Sequence, residues 1–269
     1  MTMEELCRAI AMPEPVTEAV LELHRDPAFT PDISALTEEA RWTEGRQALL
    51  AALGEDPEGI KELCCQLRCA LDAKAEFDRL GIPEEIYIAT MGCFSRFVRE
   101  HMASFGRYGF DRGFWTVRQV SVKLLRIGEL EYELTAREGM PIISLHIPTD
   151  CHFALPLLRE SWVRAKELIG RVFPAYADAP GYCSSWLLSP DLAELLNPES
   201  NILAFQQSFS ITPVEGQDRS FLQWVYLRSD LAVEDLPENT SLQRNLKQFL
   251  LSGNRFRTGR GWLRADPFL

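Results

Sequence analysis

What the chain lacks narrows its class first. No apolar run approaches the roughly 20 residues that a membrane-spanning helix needs. The amino terminus, Met1-Thr2-Met3-Glu4-Glu5-Leu6, lacks the basic-then-apolar order of a secretory signal, so a cytoplasmic protein with no membrane partner is expected. No Cys-x-x-Cys pair occurs among the seven cysteines, Cys7, Cys64, Cys65, Cys69, Cys93, Cys151 and Cys183, which argues against a zinc ribbon or a thioredoxin-type site. Their odd number and scatter, with Cys65 and Cys69 at helical spacing beside apolar neighbours, read as small buried hydrophobes in a reducing compartment. No metal is expected, and no repeat or low-complexity segment is present. There is no basic excess either. The net charge is −11, so nucleic acid is not an expected partner.

What is present is ordinary for a soluble globular protein: 269 residues, 46% apolar and 25% charged, long for one compact domain and suited to two. The charge is uneven. Residues 1–111 hold 21 acids against 11 bases, whereas 112–269 hold 18 against 17, which places a boundary near Asp111-Arg112-Gly113. The near-neutral half is the one suited to an anionic ligand.

The first half reads as helices. Val16, Val20, Leu21 and Leu23 form an apolar stripe, and a segment capped at Asp32 or Ser34 runs to Leu53 before Gly54. Pro57 opens a helix carrying Ile60, Leu63, Leu67, Leu71 and Ala75, and Pro83 opens another through Ile86, Met91, Phe94 and Val98. The Met and aromatic positions there read as core, and no catalytic constellation appears.

The second half reads as mixed. Trp115 to Arg126 alternates imperfectly and predicts a strand; Ile127-Gly128 turns into Glu129 to Thr135, a clean alternation. Arg137-Glu138-Gly139 turns again into strand 142–147, stopped by Pro148. A loop precedes a helix from about Leu155 to Val172, and a strand follows over Tyr182–Leu188. Two strands joined by such a crossover are parallel, with ligands expected outside the carboxyl end of the first, near His146 to His152. Ser189 to Leu196 predicts a short helix, Ile202–Ile211 mixes helical and alternating spacing, Phe221–Leu227 predicts a strand, and Leu242–Leu251 a helix capped by Thr240 or Ser241. The tail from Asn254 reads as solvated, with Arg255, Arg257, Arg260 and Arg264 open to phosphates or an acidic partner.

This order, together with specific runs, resembles a known family. The runs are Arg118-Gln119, Arg126-Ile127-Gly128-Glu129-Leu130-Glu131-Tyr132-Glu133-Leu134, His146-Ile147-Pro148, Ser161, Ala165 and Phe173-Pro174. The densest is Cys183-Ser184-Ser185-Trp186-Leu187-Leu188-Ser189-Pro190-Asp191-Leu192, with Leu195-Leu196 and Ser200-Asn201-Ile202 beyond it. Over residues 113–265 the chain resembles the GNAT-like C-terminal domain of a bacterial acyltransferase family, in which a helical N-acyltransferase N-terminal domain comes first. The resemblance implies an α+β protein, a helical domain at 1–112 followed at 113–269 by a GNAT-like mixed sheet flanked by helices. It implies transfer of an acyl group from acetyl-CoA or another acyl-CoA, as co-substrate, to a small-molecule amine.

In GNAT enzymes the central strand and the strand after the crossover helix splay apart and the thioester enters the gap. The resemblance therefore implies coenzyme contacts at Leu145, His146, Ile147, Thr149, Ser184 and Ser185. The chain departs from the pattern at Pro148-Thr149-Asp150-Cys151-His152-Phe153-Ala154, which has no glycine where a glycine-rich pyrophosphate loop is usual. The helix after Ser189 also lacks the usual acid tyrosine. These departures define a second reading, a non-catalytic GNAT-like binding protein that has lost coenzyme A chemistry.

Three residues are catalytic candidates. A neutral His146 can take the proton of an attacking ammonium, or it can order its loop by hydrogen bonding. Glu133 shares a strand face with Glu131 and can act as base, or the face can be solvated. Tyr182 can reprotonate the departing thiolate. Ser184 and Ser185 read as donors or structural hydroxyls, and Cys183 as a nucleophile or a buried thiol. His146, Asp150, Cys151 and His152 match no common zinc spacing.

Overall fold

The computed structural model describes residues 1–214, 219 and 221–269, and the chain divides into two compact units, 1–126 and 127–269. The first is helical: α1 (Met3–Ala9), α2 (Glu14–Arg25), α3 (Trp42–Leu53), α4 (Ile60–Arg79), α5 (Glu84–Phe105) and α6 (Gly113–Val120). Helix α4 is its axis and touches all five others. Leu63, Cys64, Cys65, Leu67 and Ala70 on it are wholly buried, so its cysteines serve as core. The Glu62 carboxylate on this buried helix is held by Arg46, Nε to Oε1 at 2.6 Å and Nη2 to Oε2 at 3.0 Å. Pro83 precedes α5, Glu84 and Glu85 occupy its positive first turn, and Gly106 closes it in the left-handed conformation at φ 68°.

The strand predicted over Trp115–Arg126 is a correction. Residues 113–120 form α6 because Gly113, Thr116, Val117, Gln119 and Val120 are buried at helical spacing, and only Leu124–Ile127 pairs as a strand, β1. Helix α1, capped by a Thr2–Glu5 box, has no counterpart in the sequence reading.

The second unit is built on β2 (Leu130–Arg137), β3 (Met140–His146), α7 (Leu155–Val172), β4 (Gly181–Ser185), α8 (Leu192–Leu195), α9 (Asn201–Gln206), β5 (Phe209–Val214), α10 (Phe221–Val225), α11 (Ser241–Leu251) and β6 (Thr258–Leu263). The sheet runs β1-β2-β3-β4-β6-β5, with β3 and β4 the parallel pair. The protein is thus α+β, a helical region followed by a mixed six-stranded sheet flanked by helices. The β2–β3 turn places Glu138 at φ 53° and Gly139 at φ 80°, the double positive φ of a tight hairpin.

Three further expectations change. The strand predicted over Phe221–Leu227 is helix α10, because Phe221, Leu222 and Tyr226 fall at helical spacing and pack with Leu192, Leu195, Leu246 and Phe256 in a separate small core. The strand over Tyr182–Leu188 stops at Ser185, whose hydroxyl accepts the Leu187 N–H at 3.2 Å and starts a 3-10 turn. The tail read as solvated supplies β6, inserted between β4 and β5. Its glycines permit close approach: a Cβ on Gly259 would lie 2.0 Å from the Leu188 carbonyl oxygen. Arg257 is anchored as well, its backbone N–H donating to buried Asp191 Oδ2 at 2.8 Å and its Nε to Oδ1 at 3.0 Å.

Candidate active site

Strand registers fix which side chains share a face, since side chains alternate along each strand. Glu131 lies opposite His146, Glu133 opposite Ser144, Ser144 beside Tyr182, Tyr182 opposite Trp262 and Ser184 opposite Arg260. All of these stand on one polar face. The other face carries Tyr132, Leu134, Ile143, Leu145 and Cys183, and α7 covers it.

The dry face has one polar hub. The Ser161 hydroxyl of α7 donates to the Ile127 carbonyl, receives the Leu130 N–H at 3.3 Å and bonds the Tyr132 hydroxyl at 2.7 Å. Burial drives the Tyr132 phenol far above its ordinary range, against a smaller opposing effect of Ser161. Cys183 is wholly buried here and its thiol is pushed up to about 12 by desolvation alone. A thiol so held is a poor nucleophile, and the nucleophile reading of Cys183 is set aside.

On the polar face the structure joins two candidates. His146 Nε2 and Glu133 Oε2 are 2.7 Å apart, a diagonal cross-strand pair whose side chains are 20% and 15% exposed. Glu133 can hold the imidazole in one orientation and tautomer. Glu131 is buried at 2% exposure, so this end of the face is not a solvated surface.

The parallel ladder stops beside that pair. β3 and β4 pair at Ile143–Gly181 and Ser144–Tyr182, and among the described residues no further β3–β4 pairing occurs. Yet β3 stays paired to β2 through His146, and β4 stays paired to β6 through Ser185. The β3–β4 ladder therefore ends while each strand keeps its outer neighbour. The positions beyond the last β3–β4 pair are Leu145 and His146 on one strand and Cys183, Ser184 and Ser185 on the other.

The loop after β3 begins with a turn closed by the Cys151 N–H on the Pro148 carbonyl at 3.0 Å, which leaves Thr149 exposed at its tip. Glu129 holds the loop by accepting the His152 N–H at 2.8 Å, while Phe153 packs edge-on against Phe205. The start of α7 has no side-chain cap and no acid in its first turn. Among the described residues, no group of three or more His, Cys, Asp and Glu is placed to hold a metal.

Tyr182 stands on the same polar face, level with Ser144. It lies within β4, its ring edge-on to Trp262 at 5.0 Å and 4.9 Å from the Arg137 guanidinium. These three line a pocket of about 280 Å3 together with Glu138, Met140, Ser210, Thr212, Arg260 and Gly261. Sequence reasoning read Arg137 only as part of a turn and did not single out Trp262. Their only signal was parity within a strand, and for Trp262 the strand itself was not foreseen. Ser184 is exposed on the polar face, Ile147 is half-buried beyond β3, and Leu145 turns its side chain to the dry face.

Residues 103–263, more than half of the chain, match the GNAT-like C-terminal domain, and residues 1–122 match the N-acyltransferase N-terminal domain. The chain belongs to the GNAT-like acyltransferase family.

Solved acyltransferases share the GNAT-like fold. One in complex with decanoyl-CoA and teicoplanin is 24% identical, with a TM-score of 0.81 over 96% of this chain and 86% of its own. One in complex with CoA and 10C-teicoplanin is 24% identical, with a TM-score of 0.81 over 97% and 86%. A third, with decanoyl-CoA, is 24% identical, with a TM-score of 0.78 over 96% and 86%. At this identity the likeness shows the fold. No curated protein matches the sequence. Among the described residues no helix of this GNAT-like chain is long and apolar enough to cross a membrane.

Proposed function

We propose that this chain is an acyl-CoA-dependent N-acyltransferase that acylates the amine of a small molecule. The observation that carries this is the β3–β4 ladder, which stops after Ser144–Tyr182 while both strands remain paired on their outer sides. A thioester needs a gap between strands, with strand backbone on one wall to meet the charge that develops on its carbonyl oxygen, and the end of this ladder is the place where one can open. In this reading the backbone of Leu145 and His146 in β3, continued by Ile147, is that wall.

The chemistry follows from the residues at its lip. The amine arrives as an ammonium, and His146, oriented by Glu133, takes its proton. The nitrogen then bonds the thioester carbonyl carbon and sheds its second proton to water, the carbon–sulfur bond breaks, and the coenzyme leaves as a thiolate. Tyr182, on the same face, is the group we assign to reprotonate that thiolate. The uncapped start of α7 suits the coenzyme's pyrophosphate. The solved relatives hold decanoyl-CoA and teicoplanin, which favours a longer acyl chain than acetyl and a glycopeptide-class acceptor.

One observation favours the second reading, a binding protein without coenzyme chemistry. The loop meant for pyrophosphate has no glycine, carries Asp150, and is held by the Glu129 carboxylate. Titration calorimetry with decanoyl-CoA and acetyl-CoA decides between them. Heat with either, and loss of turnover in His146→Ala without loss of coenzyme binding, supports the enzyme. No heat with both sinks it.

A further inference from the structure

The pocket at the other end of the polar face has a charge that runs against the chain as a whole. The protein carries −11, yet Arg137 and Arg260 meet in this pocket against one acid, Glu138, and among the described residues neither arginine has an ion-pair partner. Aromatic side chains line the pocket beside them. Arg137 lies over Tyr182, and Arg260 is two residues from Trp262 on the same face of β6. Trp262 is 37% exposed, a large ring left open on a sheet. A flat apolar wall beside two guanidinium groups fits an aryl group bearing a carboxylate, since guanidinium binds carboxylate in a two-point fork and also packs on rings.

The pocket is not where a coenzyme phosphate would lie. It opens beside the β2–β3 hairpin at Glu138 and Met140, whereas the 148–154 loop and the start of α7 follow the opposite end of β3. Met140 and His146 are six residue steps apart, about 20 Å of strand, and Tyr182 lies level with Ser144, which is two steps or about 7 Å along β3 from His146. Pocket and His146–Glu133 pair share one face.

We infer that this pocket is the acceptor subsite, and that it takes an aryl carboxylate of an elongated acceptor whose amine lies about 7–20 Å away, at His146. The inference rests on the acyl-transfer reading for its direction but not for the ligand class of the pocket.

The test uses two probes of that geometry, 4-(4-aminobutyl)benzoate and its neutral benzamide, titrated calorimetrically without coenzyme. Wild-type protein is expected to bind the benzoate about ten-fold more tightly. Arg260→Gln, an exposed position, and separately Arg137→Gln are expected to erase that preference while leaving the melting temperature and decanoyl-CoA affinity unchanged. Equal or undetectable binding of the two probes by wild type overturns the inference, whatever decanoyl-CoA does. Displacement of the benzoate by CoA also overturns it, since the pocket would then hold the coenzyme. A benzoate preference that vanishes with the arginines, in a protein that binds no acyl-CoA, keeps the ligand class and removes the acyl-transfer reading instead.

Discussion

The two faces of the sheet come from the same strands, one residue apart, and do opposite work. On one, Tyr132, Leu134, Ile143, Leu145 and Cys183 pack under α7, and the polar atoms that enter, those of Ser161 and Tyr132, bond one another and the backbone. On the other, Glu131, Glu133, Ser144, His146, Tyr182 and Arg260 stand together. Burial raises the cost of charge on the first face, so its titratable groups stay neutral. The second gathers groups that can hold or move a proton. A strand that alternates without exception lets one sheet be both scaffold and site.

The comparison can be broken most forcefully at His146. His146→Ala should lower turnover by about 10²–10⁴-fold, roughly 3–5 kcal/mol in barrier, with the melting temperature near wild type. Glu133→Gln should lower it less, since it acts through the imidazole. Steady-state rates with decanoyl-CoA check both, and wild-type rates in the pair would remove the polar face from the chemistry.

The dry face should fail in the opposite way, in stability. Gly259→Val places a Cβ against the Leu188 carbonyl and should cost on the order of 3 kcal/mol or more, a fall of roughly 6–12 °C in melting temperature. A melt matching wild type would mean that β6 does not approach Leu188 as described. Ser161→Ala strips the hub of the Ile127, Leu130 and Tyr132 groups and should cost about 1–3 kcal/mol, with turnover per folded molecule unchanged. A loss of turnover larger than the loss of folded protein would join the faces functionally.

The smallest effect concerns Cys183. Its folded thiol is held up at about 12 from an ordinary 9.0. Between those values the unfolded chain releases the proton and the folded chain keeps it. Stability from this group is therefore full below pH 9 and lost as pH rises toward 12. Iodoacetamide at pH 8 should label half-buried Cys151 and spare Cys183 until denaturant is added, as mass spectrometry would show. Equal labelling of both in the native protein would contradict the burial of that face.

Much of this was legible in the residues. Helix α7 spans Leu155–Val172, the segment the apolar spacing predicted, and the alternation over Glu129–Thr135 became β2 with Glu131 and Glu133 on one face. The His146–Glu133 contact was not legible. Parity placed Glu133 on a face, but the register that brings His146 to the same face depends on the Glu138–Gly139 turn, and a slip of one residue would reverse it. Trp115–Val120 and Phe221–Val225 were misread as strands because their β-branched and aromatic content outweighed a helical burial pattern that only the surrounding core reveals.

The sequence by itself determined which residues could face together, where the long helices run, and which family the chain resembles, because these follow from periodicities and motifs carried within short segments. Tertiary structure alone decided where the β3–β4 ladder stops, that residues 258–263 enter the sheet, and that Arg137 and Arg260 meet at one pocket. Each of those depends on pairing between residues far apart in the chain, and no local pattern encodes the register of such a pairing.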